Sequence, residues 1–238
     1  MKPFFHSASM IGFGLTSAFA VTKKWSLQEF CWSTWLAGLV YSWACVITAA
    51  FQILLTARKE KGTYEISMPF LQRVSPNVFF FGITLAITLI GWIALYGYSY
   101  LFAFYGLFLS VFAEMEPHSL FGRNGFINSD FTTPVTYLVG RFWPMILGTL
   151  IANAGDFVKN NPWKRILLPF QSNEILRIHI LTLALPFITL IAWALFKTSY
   201  QPVTLMILIG LFYLLPKRRK KDKTSIGENA NRAPEMTR

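Results

Sequence analysis

Residues 78–113 read VFFFGITLAITLIGWIALYGYSYLFAFYGLFLSVFA, a run of 36 positions without a charged side chain. A helix needs about 20 predominantly apolar residues to cross the hydrocarbon core of a bilayer. Five further apolar runs occupy 4–21, 30–56, 134–153, 175–196 and 200–215. Because helices satisfy their backbone groups internally where there is no water, this pattern predicts an all-α polytopic membrane helix bundle.

The composition supports the same class of protein. Hydrophobic residues make up 54% of the chain and charged residues only 14%, whereas soluble proteins carry about 25% charged residues. We therefore predict one transmembrane helical domain over 1–216 and a basic, disordered cytoplasmic tail over 217–238.

Segment 78–113 has two interpretations. As one helix it would be about 54 Å long, well above the roughly 30 Å of the hydrocarbon core. It is either a hairpin turning near Gly97, or one span over 78–98 followed by a helix at or beyond the interface. A single crossing places the basic segments 57–77 and 157–177 and the tail on one side, as the positive-inside rule requires. We prefer this arrangement of six spans with both termini in the cytoplasm, and the hairpin would make seven spans.

The N-terminal run also has features of a signal peptide. Lys2, an apolar stretch and the small residues around Ala18-Phe19-Ala20 match its three regions. The single lysine and the polar residues His6, Ser7 and Ser9 argue against it. We expect a retained first span, with a cleaved signal as the alternative.

The net charge of +11 is concentrated beside the predicted spans, above all in the tail sequence KRRKKDK at 217–223. Positive charge next to a span marks the cytoplasmic side and attracts anionic lipid headgroups. The predicted partners are the lipid bilayer, anionic headgroups at the tail and another membrane protein, and nucleic acid is not among them. The predicted location is the cell membrane, crossed several times.

Arg141 is a candidate functional residue because a charge within a span is costly. It stands seven residues into the predicted fourth span, between Gly140 and Phe142. Its side chain either reaches the outer headgroups, pairs with Glu114 or Glu116, or binds an anionic group.

Glu29, Asn153 and Asp156 are candidates at span ends. Ser26 followed three residues later by Glu29 forms a capping box, which satisfies the first free amides of a helix. Asn153 and Asp156 flank the end of the fourth span and either hydrogen-bond across helices or close the helix end.

Arg177 and His179 open the predicted fifth span and complete the candidate set. Two residues apart on a helix, they point to different faces. We interpret Arg177 as a marker of the cytoplasmic interface, and His179, which lies deeper, as a hydrogen-bonded packing residue or a functional group.

No catalytic, metal or cofactor motif is recognisable. The chain has no Walker lysine loop, no GxSxG and no HExxH, and its three histidines stand in separate segments. Cys31 and Cys45 lie about 21 Å apart along one predicted helix, too far for a disulfide, and are expected to be buried.

Several short motifs resemble a family of uncharacterised bacterial multi-span membrane proteins. They are Trp25-Ser26-Leu27-Gln28-Glu29, Tyr105-Gly106-Leu107-Phe108, Pro169-Phe170 and Arg177-Ile178-His179. The resemblance implies a fold and not an activity. The family has further intramembrane histidines where this chain has Phe104, Ser110 and Ala152, so any metal or haem site formed by them is expected to be lost here.

Three functions remain open. Sparse intramembrane charge, aromatic faces and short loops favour a non-catalytic accessory or partner-binding subunit. The prolines Pro144 and Pro186 together with Arg141 fit a small-solute or ion transporter. A membrane enzyme acting on lipid would have to use Asn153, Asp156, Lys164 and Arg177.

Overall fold

The computed structural model describes residues 3–59, 75–113, 130, 132–159, 161–197 and 200–214. Within these ranges the chain is almost entirely helical and has no strand, which confirms the all-α class. In chain order the helices are α1 (Pro3–Thr22), α2 (Leu27–Lys59), α3 (Pro76–Phe112), α4 (Thr132–Ala152), α5 (Ala154–Lys159), α6 (Pro162–Arg165), α7 (Leu168–Gln171), α8 (Asn173–Phe196) and α9 (Tyr200–Leu214). The predicted basic tail lies outside the described residues.

Four helices are long and apolar enough to cross a membrane. Their apolar stretches are Leu27–Ala57 in α2, Asn77–Val111 in α3, Thr132–Ala152 in α4 and Glu174–Phe196 in α8. The first and last predicted spans correspond to the shorter apolar stretches Ser7–Thr22 of α1 and Tyr200–Leu214 of α9. Membrane-spanning helices are therefore supported at four positions in the described chain.

Helix α3 runs without interruption from Pro76 to Phe112, so the hairpin interpretation with a turn near Gly97 is wrong. Pro76 stands in the first turn, where its missing N–H costs nothing. A glycine lowers helix stability by only about 1 kcal/mol. Because no proline follows Gly97 before the helix ends, nothing in the local sequence stops the helix there.

Helix α2 is central and packs against α3, α4, α8 and the short helices that follow α4. Trp35 donates its indole N–H to the carbonyl of Phe102 at 2.7 Å, and Trp32 donates to that of Ala113 at 2.6 Å. These bonds satisfy buried tryptophans, as burial of an indole N–H requires. Since higher numbers on α2 pair with lower numbers on α3, the two helices are antiparallel.

Helices α1 and α4 cross at Gly12 and Gly148. A Cβ on Gly12 would lie 2.7 Å from the carbonyl oxygen of Gly148. Tyr213 of α9 closes this crossing, with its hydroxyl 2.9 Å from Oγ1 of Thr16. Small residues let membrane helices approach closely, so these two glycines hold α1, α4 and α9 together.

The segment between α4 and α8 forms three short helices. The side chain of Asn161 accepts a hydrogen bond from the Trp163 N–H at 2.9 Å and caps α6. After α6, Ile166 packs with Ile53 and Ile87, residues of α2 and α3. The α2–α3 pair therefore continues past the end of α4 and is covered there by this segment.

Candidate functional site

The first polar group, here called the Arg141 cluster, joins α2, α4 and the α1–α2 turn. It consists of Lys23, Ser26, Glu29, Tyr137 and Arg141. Arg141 Nε donates to Glu29 Oε1, and Arg141 Nη2 donates to the Lys23 carbonyl at 3.4 Å. The Tyr137 hydroxyl donates to the same Glu29 oxygen at 3.3 Å. The side chain of Glu29 is 14% exposed and that of Arg141 31%, so the ion pair is partly shielded.

Glu29 has a second role in the same cluster. Its Oε2 accepts from the Ser26 N–H at 2.9 Å, and the Glu29 N–H donates to Ser26 Oγ at 3.1 Å. The predicted capping box is therefore confirmed. One carboxylate oxygen of Glu29 caps α2, and the other accepts hydrogen bonds from α4. The predicted partners of Arg141, Glu114 and Glu116, lie outside the described residues.

The second polar group, the Tyr41 cluster, consists of Tyr41, Asp156, Glu174 and Arg177. The Tyr41 hydroxyl donates to Asp156 Oδ2 at 2.9 Å. Arg177 Nη1 lies 3.2 Å from Glu174 Oε1, and their side chains are only 5% and 2% exposed. Glu174 also lies within electrostatic reach of Tyr41, so the cluster connects α2, α5 and α8.

Arg177, predicted to mark the cytoplasmic interface, is buried between helices of the bundle. Besides Glu174, its guanidinium carbon lies 5.3 Å from the centre of the Phe212 ring in α9. A charge can be buried when it is paired and its hydrogen bonds are met. Glu174 stands one helical turn before Arg177, and this adjacency is the sequence signal that could have revealed the pair.

Two roles were predicted for the polar residues at the end of α4, closing the helix and bonding to another helix. Asn153 has the first role and Asp156 the second. Asn153 Nδ2 donates to the Thr149 carbonyl at 2.9 Å, which closes the helix end. The Asp156 N–H donates to the Asn153 carbonyl at 2.8 Å, while its side chain bonds across to Tyr41. One residue therefore ends the helix and the other joins it to α2.

His179 lies apart from both clusters, on the exposed side of α8. Its Nε2 is hydrogen-bonded to the hydroxyl of Tyr105 on α3, and the two rings meet edge to face with centres 4.6 Å apart. The prediction that Arg177 and His179 point to different faces is confirmed, because one side chain is buried and the other exposed.

The two clusters are close together along the bundle. Glu29 and Tyr41 are twelve residues apart on α2, which corresponds to about 18 Å. The hydrocarbon core of a bilayer is roughly 30 Å thick. Both clusters include a residue of the membrane-length stretch Leu27–Ala57 of α2.

Sequence reasoning missed several partners that come from distant parts of the chain. They include Tyr41, Tyr105, Tyr137, Tyr213 and the buried Arg165, whose Nη2 lies 2.8 Å from Oε1 of Gln52. Most of these contacts join residues far apart in the sequence, so no local pattern marks them.

Among the described residues, no group of three or more His, Cys, Asp or Glu side chains is arranged to hold a metal ion. Cys31 and Cys45 are free and buried. Comparison of the chain with protein-family models, with curated proteins and with solved structures finds no match.

Proposed function

We propose that this chain is a non-catalytic, partner-binding subunit of a membrane protein complex, and that α3 carries the docking surface. One face of α3 exposes large apolar side chains to the outside of the bundle along nearly its whole length. This face, called the α3 stripe, comprises Val78, Phe81, Leu85, Leu89, Trp92, Tyr96, Tyr100, Phe104, Phe108 and Val111. The observation that supports the proposal is the length of this stripe.

The α3 stripe is longer than a bilayer can cover. From Val78 to Val111 it extends about 50 Å along the helix, against roughly 30 Å of hydrocarbon core. Lipid would cover all of it only at a tilt of roughly 50°, whereas transmembrane helices tilt by up to about 40°. Large exposed apolar patches mark interaction sites, so part of the stripe is available to another protein.

The middle of the stripe indicates the chemistry of the partner. Tyr96 and Tyr100 stack at 6.2 Å between ring centres, and Phe104 meets Tyr100 edge to face at 4.9 Å. The stripe is apolar on both sides of these two hydroxyls. A suitable partner is an apolar helix of another membrane protein that carries a hydrogen-bond acceptor near its middle.

The proposed topology is six spans in the cell membrane with both termini in the cytoplasm. The antiparallel α2–α3 pair and the unbroken α3 support a single crossing of this segment. With alternating spans, the basic segments 57–77 and 157–177 and the tail fall on the same side, as the positive-inside rule requires.

The docking surface can be tested in native membranes with a photo-crosslinking amino acid at Tyr96. The matched control carries the same group at Phe187, an exposed apolar position of α8. The tag follows Arg238, and adducts are identified by mass spectrometry. We expect a defined heterologous membrane protein from Tyr96 and lipid only from Phe187.

A loss-of-binding variant completes this test. The triple change Trp92→Ala, Tyr96→Ala and Tyr100→Ala removes exposed side chains, so the fold is expected to persist and the adduct to disappear. Leu183→Ala, Phe187→Ala and Leu190→Ala on α8 form a control with the same number of changes at exposed apolar positions. Lipid-only adducts at Tyr96 would contradict the proposal, and adducts to a second copy would make the stripe a homodimer surface.

Small-solute or ion transport is the second candidate. The two polar clusters, about 18 Å apart along α2, favour it because ionisable residues within the membrane often mark ion pathways. Purified protein in liposomes should then pass a small ion, and Glu29→Gln should abolish the flux. If liposomes that contain the wild-type protein show no ion flux under an ion gradient, this result would count against transport.

A further inference from the structure

The Arg141 cluster lies within helix α4, level with the α1–α2 turn. Arg141 stands nine residues, about 14 Å, beyond Thr132, where α4 begins. Its bond to the Lys23 carbonyl shows that the polar α1–α2 turn reaches the same depth. Lys23 and Lys24 are exposed in this turn, and the Trp143 indole is exposed beside it. Lysine and tryptophan are typical of the headgroup level.

Arg141 has donors left over at this depth. A guanidinium carries five N–H donors. Within the described part of the chain, Glu29 accepts from Nε and Lys23 accepts from Nη2. The other three donors belong to a side chain that is 31% exposed. In a membrane such donors need an acceptor from lipid or water, because unsatisfied polar groups are costly in hydrocarbon.

The charge around Arg141 favours an anion. Among the described residues of this cluster and its turn, Lys23, Lys24 and Arg141 contribute three positive charges and Glu29 one negative charge, so these four side chains sum to +2. A guanidinium edge binds phosphate oxygens with two parallel hydrogen bonds, a geometry that lysine cannot reproduce.

We propose that the remaining guanidinium edge of Arg141 binds the phosphate of an anionic phospholipid, with Lys23 and Lys24 adding charge. Glu29 and Tyr137 are positioning residues, because they hold the guanidinium from the protein side. The acyl chains then lie along the exposed side chains of Trp143 and Leu147. This binding site is independent of the α3 stripe.

Native mass spectrometry of the purified full-length protein tests the site with phosphatidylglycerol as the probe. The double variant E29Q/R141Q removes both charges together and so avoids a stranded buried charge. Its one-lipid adduct is expected to be about tenfold weaker than that of the wild type. R141K keeps the charge but loses the guanidinium edge that makes two parallel hydrogen bonds, and it should weaken the adduct by a smaller factor. The control is K164Q, which removes an exposed cation from α6 and should change nothing.

Two results would overturn the proposal. Equal lipid binding by the wild type and the double variant would exclude Arg141 as the site. Displacement of phosphatidylglycerol by inorganic phosphate would identify free phosphate, and not a lipid headgroup, as the ligand.

A second measurement does not depend on any change to Arg141. Gly140 has open space around it, so Gly140→Cys is sterically tolerated. If headgroups and water reach Arg141, this cysteine should react with a membrane-impermeant thiol reagent in proteoliposomes. Leu147→Cys, exposed two turns deeper on α4, should stay unreactive, and the native cysteines are buried. Protection of position 140 would contradict headgroup access to the site.

Discussion

Glu29 and Arg141 are separated by 112 positions in the sequence and form an ion pair between α2 and α4. The same glutamate caps the first turn of α2 through Ser26. One carboxylate therefore fixes both the start of a helix and the position of that helix against its neighbour.

We predict that Arg141→Gln lowers the free energy of unfolding by about 1–3 kcal/mol. The loss is below that of a fully buried pair because Arg141 is partly exposed. Glu29→Gln should cost a similar amount, since glutamine can still serve the capping box. The measurement is reversible unfolding in mixed micelles.

The double variant of this pair provides the matching control. E29Q/R141Q should recover most of the stability lost by either single change, because no charge is left unpaired. Additive losses in the double variant would show that the two side chains act independently.

We predict that Gly12→Ala destabilises the bundle by about 1–3 kcal/mol, since its new Cβ would overlap the Gly148 carbonyl and the Tyr213 ring. Gly14→Ala is the matched control, because Gly14 lies on the same helix with open space around it. Alanine favours a helix over glycine by about 1 kcal/mol, so Gly14→Ala should be neutral or stabilising. Equal effects of the two changes would contradict a close crossing at Gly12.

We predict that Glu174→Gln destabilises the protein by about 3–5 kcal/mol, because it removes a carboxylate that pairs with the buried Arg177. The control is His179→Ala on the exposed side of α8, which removes one hydrogen bond to Tyr105 and should cost about 1 kcal/mol. Thermal unfolding followed by light scattering can rank the variants. A smaller loss for Glu174→Gln than for His179→Ala would argue against the buried pair.

Asp130, outside the membrane-length helices, provides a pH-dependent prediction. The Thr132 hydroxyl donates to Asp130 Oδ1 at 2.8 Å and the Thr133 N–H at 3.2 Å. These hydrogen bonds, that from Thr132 first, lower the pKa of the Asp130 carboxyl below its ordinary value. A lowered folded-state pKa stabilises the fold above the unfolded pKa, and this contribution is lost as the pH falls through the folded pKa.

Thr132→Ala should therefore raise the pKa of Asp130 towards its ordinary value, as followed by carboxyl NMR. Thr136→Ala, another exposed threonine of α4, should leave this pKa unchanged. An unchanged pKa of Asp130 in Thr132→Ala would show that the Thr132 hydroxyl does not stabilise the ionised carboxylate.

Interactions between near neighbours were predictable from the sequence. The long apolar runs predict membrane-length helices because hydropathy and backbone hydrogen bonding act within one segment. The Ser26–Glu29 capping box was predictable for the same reason, since its two residues are three positions apart. The different faces of Arg177 and His179 follow from helix periodicity alone.

Only the tertiary structure decided which distant residues meet. Glu29 with Arg141, and Tyr41 with Asp156, are pairs more than 100 positions apart. The burial of Arg177 also depends on the helices packed around it. The hydropathy of a span determines that it enters the bilayer, but not which helices it packs against. The packing partners depend on close contacts such as that of Gly12 with Gly148, which exist only once the helices have packed.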